Sequence, residues 1–172
     1  MRETETHIYF LKNYLSNWYK SPFHFKTLTK PIIVGKLLLF DCGEQYMMWR
    51  KAVLFEDFEI ATKILMSSNP KEQKTLGRQV RNYNDKIWAD QRFDIMVEGL
   101  SCKFRENKLI RNKLILTGKK ILVEANPYDT IWGVGLSEDD DAILDEKNWR
   151  GQNLLGKVLM KVRENASWDT SC

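Results

Sequence analysis

Phe93-Asp94-Ile95-Met96-Val97-Glu98-Gly99-Leu100-Ser101-Cys102-Lys103-Phe104 decides the fold class. Phe93, Met96, Val97, Leu100 and Phe104 recur at intervals of three, four and seven, which lays them along one stripe of an α-helix. The helix reads back to Asp85. The segments around it have the same period. Glu44 to about Phe55 and Phe58 to Met66 read as helices. Asn69-Pro70-Lys71-Glu72 is a start signal, with Asn as cap, Pro in the first turn and Glu three after the cap; that helix runs to about Val80. Lys108 to Leu116 adds a short helix stopped by Thr117-Gly118. A last helix begins near Asn153, with Leu154, Leu155, Val158, Leu159 and Val162 as its apolar face, and residues beyond Ala166 read as frayed.

Strand signals are few and short: Ile8-Tyr9-Phe10, Lys36 to Phe40, and Ile121 to Glu124. Leu15 to Phe23 reads as turn-rich and aromatic. The expected class is mainly α, in the α+β sense, with a small β-sheet and no doubly wound alternation. A chain of 172 residues is expected to form a single domain, 1–172, with a real core.

Composition narrows the functions. Net charge is +4, and the basic residues form no single tract, so solubilising surface competes with a polyanionic ligand as their purpose. Cys42, Cys102 and Cys172, an odd count at wide spacing, make neither a disulfide framework nor a zinc signature. His7 and His24 lack metal-ligand spacing, so no metal and no cofactor are expected. No apolar signal region or long apolar run occurs, and a cytoplasmic protein without a membrane partner is expected. A nucleophile elbow, a Walker A loop and a dinucleotide fingerprint are missing from the sequence.

The richest chemistry lies in two places. On the helix from Glu44, Met47, Met48 and Lys51 share a face with Glu44, while Tyr46 and Trp49 occupy the other side. A helix apolar all round is buried, and burial disfavours a charged carboxylate, which can make Glu44 an acid or base near neutral pH. Alternatively it is a first-turn Glu favoured by the helix dipole. Lys51 can hold phosphate, act as an amine nucleophile, or snorkel to the surface. Arg78, after Gly77, can reach a phosphate, and Trp88 can stack on a base or fill core.

The second place is Asp129-Thr-Ile-Trp132-Gly133-Val-Gly135, an acidic loop, then Gly151-Gln152-Asn153-Leu154. Gly133 and Gly135 beside Trp132 are expected to let backbone approach a flat ligand. Gly151 and Asn153 are expected to supply a helix cap and amide donors for an anion. Asp129 is either an Asx-turn cap or a carboxylate that orients a hydroxyl or water. Residues 137–146 read as a solvated acidic loop or a lid, without the spacing of an EF-hand.

Taken in order, these segments resemble the NADAR, or YbiA-like, family. The matching stretches are Leu15-Ser16-Asn17-Trp18-Tyr19, Glu44-Gln45-Tyr46-Met47-Met48 with Lys51-Ala52, Leu76-Gly77-Arg78-Gln79-Val80, Trp88, and Lys103-Phe104. They continue with Leu122-Val123-Glu124-Ala125, Asp129-x-x-Trp132-Gly133-x-Gly135 and Trp149-x-Gly151-x-Asn153-Leu154-Leu155-Gly156.

The resemblance implies a compact YbiA-like helical domain and an N-glycosidase. Its substrate would be ADP-ribosylated guanine in DNA or RNA, or a riboflavin-pathway phosphoribosylamino-pyrimidine. It implies catalytic roles for Glu44 and Asp129, with Lys51 as phosphate ligand or Schiff-base amine. Asn17, Trp18, Arg78, Trp88, Trp132, Gly133, Gly135, Gly151 and Asn153 would bind substrate. Gly43 and Met48 depart from the Ser and Gln that many relatives carry, which leaves the substrate subclass open. The alternatives are a non-catalytic module for ADP-ribose or NAD and a structural DNA-associated protein.

Overall fold

The computed structural model describes residues 1–27 and 35–165; the stretch beyond Ala166 that the sequence reads as frayed lies outside them. The elements that define the architecture are β1 (Arg2–Glu3), β2 (His7–Phe10), β3 (Phe23–Lys26), β4 (Leu37–Phe40), α1 (Gly43–Leu54), α2 (Phe58–Met66) and α3 (Pro70–Arg78). They are followed by α4 (Asp85–Glu106), α5 (Lys108–Leu116), β5 (Ile121–Glu124) and α6 (Leu154–Glu164). The mainly helical α+β class is as expected from the sequence.

Contacts gather the chain into two compact units, one built from residues 1–19 with 109–165 and the other from residues 20–108. In the first, β2 lies between β1, antiparallel, and β5, parallel, with Tyr9 opposite Val123. Tyr9, Val123, Ala125, Val134, Leu136 and Ile143 form one core, capped by the half-buried Trp149. The indole N–H of Trp149 donates to the Ile143 carbonyl at 2.8 Å. The expected apolar face of α6 is buried through Leu155, Val158, Leu159 and Val162.

In the second unit α1 is the axle, in contact with α2, α3 and α4. Glycines bring its neighbours close: a Cβ on Gly77 of α3 would overlap the Met48 side chain, and one on Gly99 of α4 would overlap the Tyr46 ring. The other side of Tyr46 meets Phe23, Phe25 and Phe40, at centroid distances of 6.0, 5.0 and 5.4 Å. Two of those rings come from β3, which the sequence reading missed. Its alternation is plain in retrospect, with Phe23 and Phe25 buried and His24 and Lys26 exposed.

Asp57 caps α2 through Ile60 N–H and accepts from Arg81 Nε at 3.0 Å and Nη2 at 2.6 Å. The Arg81 guanidinium, aided by backbone amides, holds the Asp57 carboxyl well below the usual carboxylate range, against the opposing effect of burial.

Candidate functional site

Glu44 stands in the first turn of α1, 3% exposed, one turn or less from the N-cap Cys42. Its neighbour Gln45 explains why the helix begins there. The Gln45 amide donates to the carbonyls of Ile64 and Ser67, and its oxygen accepts from Asp41 N–H at 2.7 Å. That clamp fixes the turn carrying Glu44. The thiol of Cys42 donates to Gln73 Oε1 at 3.4 Å, and burial pushes it up from its ordinary value.

Two turns along α1, Lys51 is half-buried. It donates to the Gly77 carbonyl at 2.8 Å, and its ammonium lies 4.1 Å from the centre of the Tyr83 ring. Burial lowers its pKa; nearby Arg78 pushes the same way and Asp85 opposes. Arg78 itself is exposed at the end of α3. Lys51 and Arg78 thus form one basic patch, with two of the three donors of Lys51 left over. Tyr83, which sequence reasoning did not single out, donates to Asp85 Oδ1 at 2.8 Å, and burial raises its hydroxyl to about 12. Trp88 is 6% exposed within α4, so it fills core and is not a stacking platform.

In the other unit, Asn17 is 6% exposed and its Oδ1 has no hydrogen-bond partner. An orphaned buried acceptor costs about 1–3 kcal/mol, a cost that a ligand donor would relieve. Trp18 beside it is 44% exposed, held in the turn by its own N–H to Ser16 Oγ at 3.2 Å.

The Trp132 segment is a knot of backbone. Asp129 is an Asx cap: its Oδ1 accepts from Ile131 N–H at 2.9 Å and Trp132 N–H at 2.8 Å. This leaves Oδ2 to accept elsewhere. Trp132 is half-buried. The glycines have packing reasons of their own. A Cβ on Gly133 would sit 2.9 Å from the carbonyls of both Asp129 and Glu124. One on Gly151 would overlap the Gly133 carbonyl, and Gly135 combines φ +71 with a 3.0 Å approach to Arg150.

The cap expected of Asn153 is also corrected. Asn153 adopts φ 52, ψ 39 and its side chain makes no cap hydrogen bond. Instead Oδ1 accepts from Glu124 N–H at 3.0 Å and Nδ2 donates to the Leu122 carbonyl at 2.8 Å, tying α6 to β5. Nor are the amides there open to an anion. Gln152, Asn153, Leu154 and Leu155 donate to the carbonyls of Thr130, Gly133, Ile131 and Trp132. The helix N-terminus is stitched to the Trp132 loop, which spends the donors that a phosphate would need.

The acidic loop is ordered by two 3₁₀ turns, Asp141–Leu144 and Glu146–Asn148, capped by Asp140 and Asp145. Arg2 reaches Asp141 at 2.8 Å and His7 reaches Glu146 at 3.1 Å, so the loop is tethered to its own sheet. Among the described residues no His, Cys, Asp and Glu cluster could hold a metal ion, and no helix is long and apolar enough to cross a membrane.

The chain is similar to several known proteins. The mimivirus protein N-glycosidase R617 is 49% identical over 122 residues, 71% of this chain and 72% of that protein. Protein irg-1 of Caenorhabditis elegans is 42% identical over 155 residues, 87% of this chain and 73% of that protein. The solution structure of YbiA from E. coli superposes with a TM-score of 0.69 at 25% identity, covering 95% of this chain and 86% of YbiA. The NADAR domain matches residues 7–166, and the chain belongs to the NADAR family.

Proposed function

We propose that the protein is an N-glycosidase that hydrolyses the C1′–N bond between a ribose and a base. The observation that carries this reading is the burial of Glu44, a carboxylate 3% exposed in the first turn of a helix whose residues from Gly43 to Trp49 are all buried. Removing a carboxylate from water makes it a stronger base toward a bound water than it is in bulk solvent. Kinship with N-glycosidase R617 supports the same activity.

Cleavage passes through an oxocarbenium-like ribose. Water adds to C1′ as the C1′–N bond breaks. The departing nitrogen keeps the bonding pair; the water proton passes to Glu44, and solvent returns one proton to the nitrogen as Glu44 gives its own up, so that one water is consumed. Asp129 orients the ribose hydroxyls through Oδ2, because Oδ1 is committed to its turn. Asn17 accepts from a substrate donor. Lys51 and Arg78 hold phosphate, and Trp18 and Trp132 lie against the base. Gly133, Gly135, Gly151 and Asn153 contribute by fixing the Trp132 loop. The substrate is a base linked to ADP-ribose, as in modified guanine of DNA or RNA, or a phosphoribosylamino-pyrimidine, and the setting is the cytosol.

The test is incubation of the purified protein and its Glu44→Gln variant with both substrates, reading release of base or ribose. The wild type is expected to turn over one of them, and Glu44→Gln to lose at least about 100-fold. No release from either substrate overturns the proposal; tight binding of ADP-ribose without turnover would make the protein a reader instead.

A further inference from the structure

The connection between α3 and α4 is pinned on both sides of Tyr83. Before it, Arg81 N–H donates to Asp57 Oδ2 at 2.9 Å, and the Arg81 guanidinium holds both oxygens of the same carboxylate. Asn82 then turns the chain in the left-handed region, at φ 57. After it, Asn84 caps α4 by accepting from Ile87 N–H at 3.1 Å. Tyr83 itself is fastened twice. Its ring stands edge-on to Phe55, the C-cap of α1, with centroids 5.3 Å apart, and its hydroxyl donates to Asp85 Oδ1 at 2.8 Å. Yet the side chain is 42% exposed, so it contributes less to the core than a buried ring does.

What this strut delivers is a ring face against Lys51. The ammonium lies 4.1 Å from the ring centre and donates to the Gly77 carbonyl at 2.8 Å. A cation over an aromatic face is drawn to the negative side of the ring quadrupole. Because the phenol proton is given to the Asp85 carboxylate, the ring keeps more electron density for that attraction. The ammonium nitrogen has four substituents in a tetrahedral array. One is the Cε atom, one is the N–H on Gly77, and one N–H is turned to Tyr83. The direction of the last N–H then follows from the other three. Lysine is a point charge on a flexible stem, so a donor aimed in one direction has to be held by its surroundings.

We propose that Tyr83 is a positioning residue for substrate binding: its ring holds the Lys51 ammonium so that the remaining N–H is presented to the phosphate on the substrate ribose. The proposal rests on the reading of Lys51 as a phosphate ligand given above. Tyr83 acts through Lys51 and need not touch the substrate. If the ring only joined Phe55 to the start of α4, its loss would lower stability and leave the effect of removing Lys51 as it was.

The experiment is a double-mutant cycle on the full chain, reading the Kd of ribose 5-phosphate and of ADP-ribose by NMR titration. Lys51→Met and Tyr83→Leu are each expected to weaken binding at least about fivefold. The double variant is expected to bind no more weakly than Lys51→Met, since the ring then has nothing left to hold. Tyr83→Phe keeps the ring and is expected to recover most of the loss. Additive losses overturn the proposal, as does a Tyr83→Phe as weak as Tyr83→Leu. So does an unchanged Kd in Lys51→Met or in a folded Tyr83→Leu, or a wild type that binds neither ligand. Where Tyr83→Leu does not fold, the wild type decides. The Lys51 ε-methylene protons, identified by their loss in Lys51→Met, are expected upfield from the ring current and to shift on titration with ribose 5-phosphate. An ordinary position, or no shift on titration, overturns the proposal. None of these readouts needs turnover. A protein that binds ribose 5-phosphate through Lys51 and cleaves neither substrate fails the glycosidase reading and leaves the link between Tyr83 and Lys51 standing.

Discussion

Asn153 shows how one side chain can be located correctly and assigned the wrong task. An Asn just before an apolar helix signals a start whichever way its amide turns. Here the left-handed backbone swings the side chain across to β5, where it pairs with both Glu124 N–H and the Leu122 carbonyl. Sequence spacing carries the cap signal but not the distant strand. Asn153→Ala removes both hydrogen bonds, strands two buried backbone groups and puts at φ 52 a residue that adopts the left-handed region less readily than Asn; a loss of about 2–4 kcal/mol is expected in denaturant titration. Asn153→Asp keeps the acceptor and loses the donor, so it should fall between the two. Asp129 and Glu44 stand out in the sequence, one a carboxylate beside glycines and the other a carboxylate on an apolar helix. Lys103 does not: next to Phe104 it reads as the flank of an apolar stripe, and only the crossing of α4 over α1 shows it enclosed.

At the scale of elements, α2, α5 and β5 begin and end where the sequence places them, because caps, a stop at Thr117-Gly118 and a compact apolar run mark their limits. β1, with two residues, is too short to carry a period, and β3 was hidden in a turn-rich stretch. Helix contact, by contrast, is written in glycines whose meaning is tertiary. Gly77 and Gly99 both sit inside helices, where alanine would be intrinsically better by about 1 kcal/mol. The neighbours decide the outcome. Gly99→Ala meets a ring that Phe23, Phe25 and Phe40 hold in place, and is expected to cost about 1–3 kcal/mol in spite of the propensity gain. Gly77→Ala meets the flexible thioether of Met48, and is expected to cost less. Thermal melts of the two variants side by side check the order; equal melting temperatures would contradict it.

For the whole molecule, two buried charges should shape stability in opposite pH windows. Asp57 has a folded pKa depressed below its unfolded value, so its stabilisation is present above the ordinary carboxylate range and drains away as pH falls through the folded value. Lys103 also has a depressed folded pKa, but for a base this is a penalty: the unfolded chain binds its proton more tightly, and the penalty fades as pH rises from about 8 toward 10.5. Urea titrations are expected to show the stability gap between Lys103→Met and wild type narrowing across that alkaline window, and Asp57→Asn losing about 2–4 kcal/mol at neutral pH but much less in acid.

The parallel pairing of β2 with β5 sets an order of events during synthesis. His7 lies opposite Ile121, so β2 leaves the ribosome more than a hundred residues before its partner exists. The helices α1 to α4, by contrast, pack on one another within one unit that is made before β5. β2 and β5 must then be joined across a stretch already shortened by structure, which lowers the entropy that closing it consumes. β2 and β5 are therefore expected to pair after the helices between them have packed.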